Sequence, residues 1–391
     1  GQVRALLLIS VAQLLVLSLW FSASAVSDSL EAAWGLSRSQ VAWLTMAVQV
    51  GFVFGALSSA VANLADRIPA RRLFAISATV GAVANGALVV VGSPSFVVVV
   101  LARFITGAAL AGVYPSGMKT IAGWFRERRG MALGVLVGAL TVGSALPHLV
   151  RGVGLNWQVV LTSASVLALV GVAIMLAVGD GPYETSVSRF SWRHLHTIVS
   201  NRGFRLATVG YLGHMWELYA AWTWIATWVA ASAFVGSPSM AAFVMIAIGG
   251  LGSWVAGWVA DRNGRTLVAG GSLLVSGTMA AATSVVFGGP SWLIVVVLVV
   301  WGATIVSDSA QFSAMVTEVV DDEVRGTALT LQTALGFSLT LISIWLVSAI
   351  ADATSWQWAF LVLVPGPVVG IIAMIRLRQA PSAARLAGGK G

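Results

Sequence analysis

Twelve apolar stretches, each close to two dozen residues long and divided by short polar loops, fill nearly the whole 391-residue chain. They run over approximately 5–27, 40–62, 71–92, 95–119, 130–150, 157–178, 206–231, 239–260, 266–287, 290–317, 326–350 and 357–377. A helix needs roughly 20 apolar residues to cross about 30 Å of hydrocarbon. Inside that layer a backbone must satisfy its own polar groups, so helices are the expected elements. The bulk composition, 58% hydrophobic and 9% charged residues, lies far outside the soluble range. The expected fold class is an all-α membrane protein.

The Lys and Arg positions orient the spans. With both termini cytoplasmic, 19 of the 22 basic residues fall in inside segments, leaving Arg38 and Arg151 outside and Arg103 within a span. The expected location is the cytoplasmic (inner) membrane, multi-pass. The net charge of +8 is thus a topology signal, and its spread over several loops without interleaved aromatics excludes a nucleic-acid partner. There is no cysteine, and two of the four histidines lie in one polar loop. Disulfides, thiolate sites and a clustered metal site are therefore not expected, nor is a cofactor or an enzyme's nucleophile set. The first stretch reads as a retained span, not a signal peptide.

Two landmarks recur. Asp66-Arg67 returns as Asp261-Arg262, 195 residues on, and Arg129-Gly130, opening the fifth stretch, returns as Arg325-Gly326, opening the eleventh. The chain divides into residues 1–179 and 206–391, six spans each, joined by a polar linker over 180–205. Trp192 and its basic neighbours allow a short amphipathic piece on the cytoplasmic leaflet or a mobile tether. Duplicated membrane chains of this kind are mostly transporters.

Function must reside in polar groups that hydrophobicity would exclude, because an ionisable residue deep in a span costs roughly 2.5–3.5 kcal/mol on insertion scales. Four qualify: Arg103 in the fourth span, His214 and Glu217 in the seventh, and Asp308 in the tenth. His214 and Glu217 lie three residues apart on one helical face, near mid-span. They are expected either to carry a proton together or to tie the seventh span to a neighbour. Asp308 shares a face with Gln311 and is either a second acid on the route or a partner for a basic group. Arg103, with Tyr114 on its face, stays charged when buried and needs an anion, from another span or from the substrate.

Gln13 and Gln49, mid-span in the first two helices, are candidates for substrate hydrogen bonds, since an unpaired amide there is costly. Among 17 tryptophans, Trp20 and Trp224 are candidates for an aromatic cavity wall, against the plainer role of helix packing.

Six plus six spans, a central loop, and Asp-Arg-x-x-x-Arg-Arg over Asp66–Arg72 resemble the major facilitator superfamily across essentially the whole chain. The family's loop motif, Gly-x-x-x-Asp-Arg-x-Gly-Arg-Lys/Arg, is matched by Asp261-Arg262-Asn263-Gly264-Arg265 with Gly257 ahead, whereas the first copy has Ala62 and Pro69 at the glycine places. The resemblance implies two six-helix bundles related by a pseudo-two-fold axis. It also implies a conformational latch of Asp66, Arg67, Arg71, Asp261, Arg262 and Arg265, with Asp66 bracing the start of the eleventh span and Asp261 that of the fifth. The physics is a carboxylate accepting from the free N–H groups of a helix start. Arg103-x-x-x-Gly107 resembles the fourth-span motif of proton-coupled members, while Ala139 and Val142 depart from the antiporter core Gly-Pro-x-x-Gly-Gly.

The expected function is a secondary active transporter of a small organic solute working by alternating access, as proton-coupled symport of an organic anion. The alternatives are a proton-driven antiporter exporting lipophilic or cationic compounds and, from another class, a non-transporting membrane sensor. The expected partners are the solute, protons and the lipid bilayer. Asp66→Asn is expected to lower flux while the amount of protein in the membrane fraction is unchanged; undiminished flux removes the latch.

Overall fold

Polar residues in the loops fix where several helices begin. Ser37 opens the helix Arg38–Val61 with a reciprocal box, its hydroxyl accepting from the Gln40 N–H while the Gln40 side-chain amide oxygen accepts from the Ser37 N–H at 2.9 Å. Asn156 accepts from Val159 N–H, Asn201 from Phe204 N–H and Ser237 from Met240 N–H, starting the helices Trp157–Ala177, Arg202–Ala231 and Pro238–Asn263. These contacts come from a computed structural model, which describes residues 1–92, 94–125, 129–179, 181–183 and 192–391, with the side chains of 65, 66, 129–131, 133 and 192 left outside the description.

The helices are α1 (Gln2–Leu17), α2 (Ser27–Trp34), α3 (Arg38–Val61), α4 (Leu64–Arg67), α5 (Ala70–Val91), α6 (Phe96–Trp124), α7 (Arg129–Gly152) and α8 (Trp157–Ala177), then α9 (Leu195–Ser200), α10 (Arg202–Ala231), α11 (Pro238–Asn263), α12 (Arg265–Val286), α13 (Ser291–Ile305), α14 (Ser309–Val319), α15 (Arg325–Ala353), α16 (Trp356–Ala359) and α17 (Pro365–Arg378). No strand occurs among the described residues. Ten spans are long and apolar enough to cross a membrane. The other two are α1, cut to 16 residues, and α10, whose 30 residues include Arg202, Arg205, His214 and Glu217. Twelve spans place both ends of the chain on one side, here the terminal end; the opposite side is the far end.

Three spans are broken where continuous helices were expected. The first, expected over 5–27, leaves the α-helical ladder at residues 18–23, where Leu19 and Trp20 N–H groups bond back only three residues. The tenth, expected over 290–317, breaks at 306–308 between α13 and α14. The twelfth breaks before Pro365. Pro365 and Pro367 supply no N–H to the carbonyls of residues 361 and 363, and a short 3-10 turn replaces the missing bonds. In the linker, residues 192–194 and α9 form short helical pieces; Ile198 is buried and His194 stands 3.7 Å from Glu323, so this part rests on protein. Of the rest of the expected linker, residues 180 and 184–191 lie outside the described residues, while Tyr183 N–H donates to Gly123 O and Asn201 caps α10.

Within the first six spans, α6 packs on α1, α3 and α5, and α8 on α1 and α5; within the last six, α17 packs on α10 and α12, and α13 on α11 and α12. The two sets meet along α3–α15 and α7–α11. The α7–α11 seam runs backbone to backbone at Gly138 and Gly250, where a Cβ on either would stand 3.1–3.3 Å from the other's carbonyl oxygen. At the far end, Arg38 of α3 pairs with Asp352 of α15 and lies 5.7 Å from the Trp356 ring centroid, clasping the two sets. Tight glycine contacts hold α6 to α3: a Cβ on Gly107 would collide with the Val48 carbonyl, and one on Gly51 with that of Phe104.

Gly107→Val is expected to destabilise the fold by about 3 kcal/mol or more, since the obstruction is backbone. The apparent melting point of the detergent-purified protein checks it.

Candidate functional site

Arg103 closes the break in the first span. Its side chain is fully buried, and its Nε donates to Leu44 O at 3.0 Å. Nη1 donates to Asn85 Oδ1 (2.9 Å), Ser22 Oγ (3.2 Å) and Leu19 O (3.3 Å), and Nη2 to Trp20 O (2.6 Å) and Leu19 O (3.3 Å). In an unbroken helix Leu19 and Trp20 carbonyls would take the N–H groups of residues 23 and 24; here the guanidinium takes that place. All five of its N–H donors are engaged. Sequence reasoning assigned Arg103 an anionic partner, and this is corrected: carbonyl oxygens, one amide oxygen and one hydroxyl surround it. Asn85 extends the knot, donating to Leu161 O and Ser165 Oγ of α8.

A second knot occupies the matching spans of the other set. Glu217 on α10 accepts from Trp301 Nε1 of α13 at 2.6 Å and from Ser276 Oγ of α12 at 2.9 Å. Ser22 and Glu217 are 195 residues apart, the offset of the sequence repeat. Spans 1, 3 and 4 are therefore joined through a cation, and spans 7, 9 and 10 through a carboxyl group.

His214 does not bond Glu217. Its Nδ1 stands 2.8 Å from Asp308 Oδ1, an ion-pair separation without hydrogen-bond alignment, and both side chains are buried. Asp308 ends the tenth-span break, where Ser307 and Ser309 N–H groups bond back three residues and the Val306 carbonyl, acceptor of the Ser309 N–H, also accepts from Ser253 Oγ of α11. The broken backbone carries Asp308 up to the seventh span, which a straight helix would not disclose.

The candidate substrate residues separate. Gln13 and Gln49 are fully buried, and neither atom of either amide has a partner; the same holds for Trp20 Nε1. Trp20 lies in an aromatic cluster across the seam, 5.0 Å from Phe52 of α3, 5.6 Å from Tyr219 of α10 and 5.6 Å from Phe337 of α15. Tyr114 is half-buried on α6. Trp224 is a packing residue, donating to Ile344 O at 2.9 Å and lying against Trp356. Gln311 is buried in the first turn of α14 and accepts from Arg265 Nη1 at 3.1 Å, so its amide is held by a basic residue near the terminal end while Asp308 faces His214.

At the loops, Asp66's side chain lies outside the described residues, Arg67 is exposed, and Arg71 donates to Leu176 O. Arg262 stacks on Trp258 of its own helix at 3.7 Å. Arg265 forks onto Glu318 at 2.7–2.9 Å. Asp261 was expected to brace the fifth span. Its carboxylate is instead 70% exposed beside Arg265, 3.6 Å away, while its carbonyl accepts from Lys390 Nζ.

Asn85, Ser276, Trp301, Tyr219 and His148 were not anticipated. His148 on α7 is fully buried with neither ring nitrogen partnered, a cost that could have singled it out. The others are neutral residues whose importance lies in what they touch.

Broken spans around two buried polar knots, in two sets of six helices, define a membrane transporter. The sequence profile of the Major Facilitator Superfamily matches residues 8–339 and again 239–391, and the chain belongs to that family. It is 23% identical over 390 residues to the uncharacterized MFS-type transporter YfnC of Bacillus subtilis (strain 168), covering 95% of this chain and 92% of that one. It is 28% identical over 189 residues to the putative transporter YgaY of Escherichia coli (strain K12), covering 47% and 46%. Over 186 residues it is 24% identical to the MFS transporter asaE of Aspergillus flavus, covering 45% and 41%, so the match spans under half of these last two proteins.

Arg103→Lys is expected to cost about 3 kcal/mol or more, because several buried acceptors lose their donor at about 1–3 kcal/mol each. Yield and apparent melting point in detergent report it, and a fully stable Arg103→Lys protein contradicts the bracing role.

Proposed function

We propose that the protein is a proton-coupled secondary transporter of a small organic solute, with both termini cytoplasmic in the cytoplasmic membrane and residues 1–179 and 206–391 rocking about a midplane site. The observation that carries the reading is the buried His214–Asp308 pair at the tenth-span break. A proton that binds the Asp308 carboxylate removes its charge attraction for the His214 ring and so loosens the tie between α10 and the start of α14. Proton occupancy then biases how the seventh and tenth spans sit, which is the differential interaction a coupled conformational change requires. Glu217, one helical turn along α10, is the neighbouring acid on the route. Its hydrogen bonds to Ser276 and Trp301 link the same proton inventory to α12 and α13.

The organic-anion form of symport rested on Arg103 as the anion's partner, and its engaged donors withdraw that support. Symport itself is retained because Ala139 and Val142 stand at the antiporter-motif positions.

Purified protein in liposomes containing a pH-sensitive dye tests the coupling. Adding the dialysable small-molecule fraction of a cell extract is expected to acidify the lumen. Asp308→Asn and Glu217→Gln are expected to slow that acidification about tenfold or more, a barrier difference of about 1.4 kcal/mol. Alkalinisation of the lumen would reverse the reading to antiport, and no pH change with the unmodified protein would remove proton coupling.

A further inference from the structure

The buried charged groups of the spans are satisfied by the protein itself. Arg103 has all its donors engaged, Glu217 has a donor on each oxygen, and His214 and Asp308 face one another. Of the buried groups without a hydrogen-bond partner, which also include the rings of His148 and His214, Asp308 Oδ1 and Trp228 Nε1, four residues are neutral and candidates for a ligand: both amide atoms of Gln13 and of Gln49, and the indole N–H groups of Trp20 and Trp222. All four residues are at most 3% exposed. Each such orphan group costs about 1–3 kcal/mol unless something else bonds to it.

Three of these four residues, Trp20, Trp222 and Gln49, lie at or beside the seam between the two sets of spans. Trp20 packs on Phe52, and Gln49 lies three residues before Phe52 on the same face of α3. Trp222 lies 5.8 Å from Phe21, the residue after Trp20. Gln13 sits against Gly117 of α6, where any Cβ would strike its amide oxygen, so the amide's place is kept free by the glycine.

We propose, building on the transport reading above, that the solute is an uncharged, flat heterocycle with adjacent hydrogen-bond donor and acceptor groups, of the nucleobase kind. A side-chain amide presents a carbonyl beside an NH₂ and pairs with such an edge, as glutamine does with base edges. Indole N–H groups supply further donors, and the ring faces of the seam offer stacking to any flat ring once they part. A carboxylate would find the arginine already engaged. An organic cation would find no unengaged carboxylate among the described core residues, and leaving a buried charge unpaired is the costlier outcome.

Thermal stabilisation of the detergent-purified protein by adenine, uracil, benzoate and tetraphenylphosphonium tests this. Adenine or uracil is expected to stabilise it, with the half-saturating concentration rising at least about tenfold, about 1.4 kcal/mol, in Gln13→Ala and Gln49→Ala but not in the surface variant Val90→Ala. Should an alanine variant fail to fold, quenching of tryptophan fluorescence by the same probes, lost in Trp20→Phe, supplies the readout. Stabilisation by benzoate or tetraphenylphosphonium alone, or by none of the probes, overturns the assignment. If the liposome assay still shows solute-driven proton movement, only the solute class has failed. If adenine binds yet no solute moves protons, the coupling reading fails and the class stands.

Discussion

A backbone carbonyl that loses its helical partner inside a bilayer has no water to turn to, and the broken first span frees such carbonyls at Leu19 and Trp20. Arg103 answers them from the fourth span, drawing in Leu44, Ser22 and Asn85 as it does so. That single side chain therefore fixes the relative placement of spans 1, 2, 3 and 4. The charge it carries is matched by carbonyl dipoles at the C-terminal end of α1, where the helix dipole favours a cation. The break lets Trp20 leave the helical ladder and enter the aromatic seam.

The two sets of spans solve one problem with opposite chemistry. In the first, a guanidinium gathers oxygens; in the second, a carboxyl group gathers donors, with Glu217 standing at the repeat position of Ser22. A guanidinium with all its donors engaged has no second protonation state to offer. A carboxyl group does, and it lies next to the only histidine–aspartate contact among the described core residues. This asymmetry sets a fully engaged guanidinium in one set against carboxyl and imidazole groups in the other.

Much of the fold was legible because hydropathy and charge report on each residue's own preference for water. The twelve spans followed from that, while the family was legible only through the resemblance carried by the loop motifs at Asp66 and Asp261. The breaks at residues 18–23 and 306–308 did not follow, because Ser18, Ser22, Ser307 and Asp308 are isolated polar points in otherwise apolar runs and the donors that meet the broken backbone arrive from other helices. For the same reason the partners of Gln311 and Trp224, Arg265 and the Ile344 carbonyl, were hidden, being remote in sequence. Arg103 was found by its cost in a membrane, but its partners were not, since carbonyls carry no sequence signal. Gln13 and Gln49 were found for the same reason, and they remain without partners in the folded chain.

The contact of Gly138 with Gly250 has a kinetic meaning. Where helices interlock through side chains, changing the angle between them forces rotamers over their barriers one after another. At Gly138 and Gly250 there are no side chains to disengage, so in the rocking motion proposed above α7 and α11 would serve as the pivot. The resistance to that motion would then lie away from the axis, in the Arg38–Asp352 clasp and the aromatic seam.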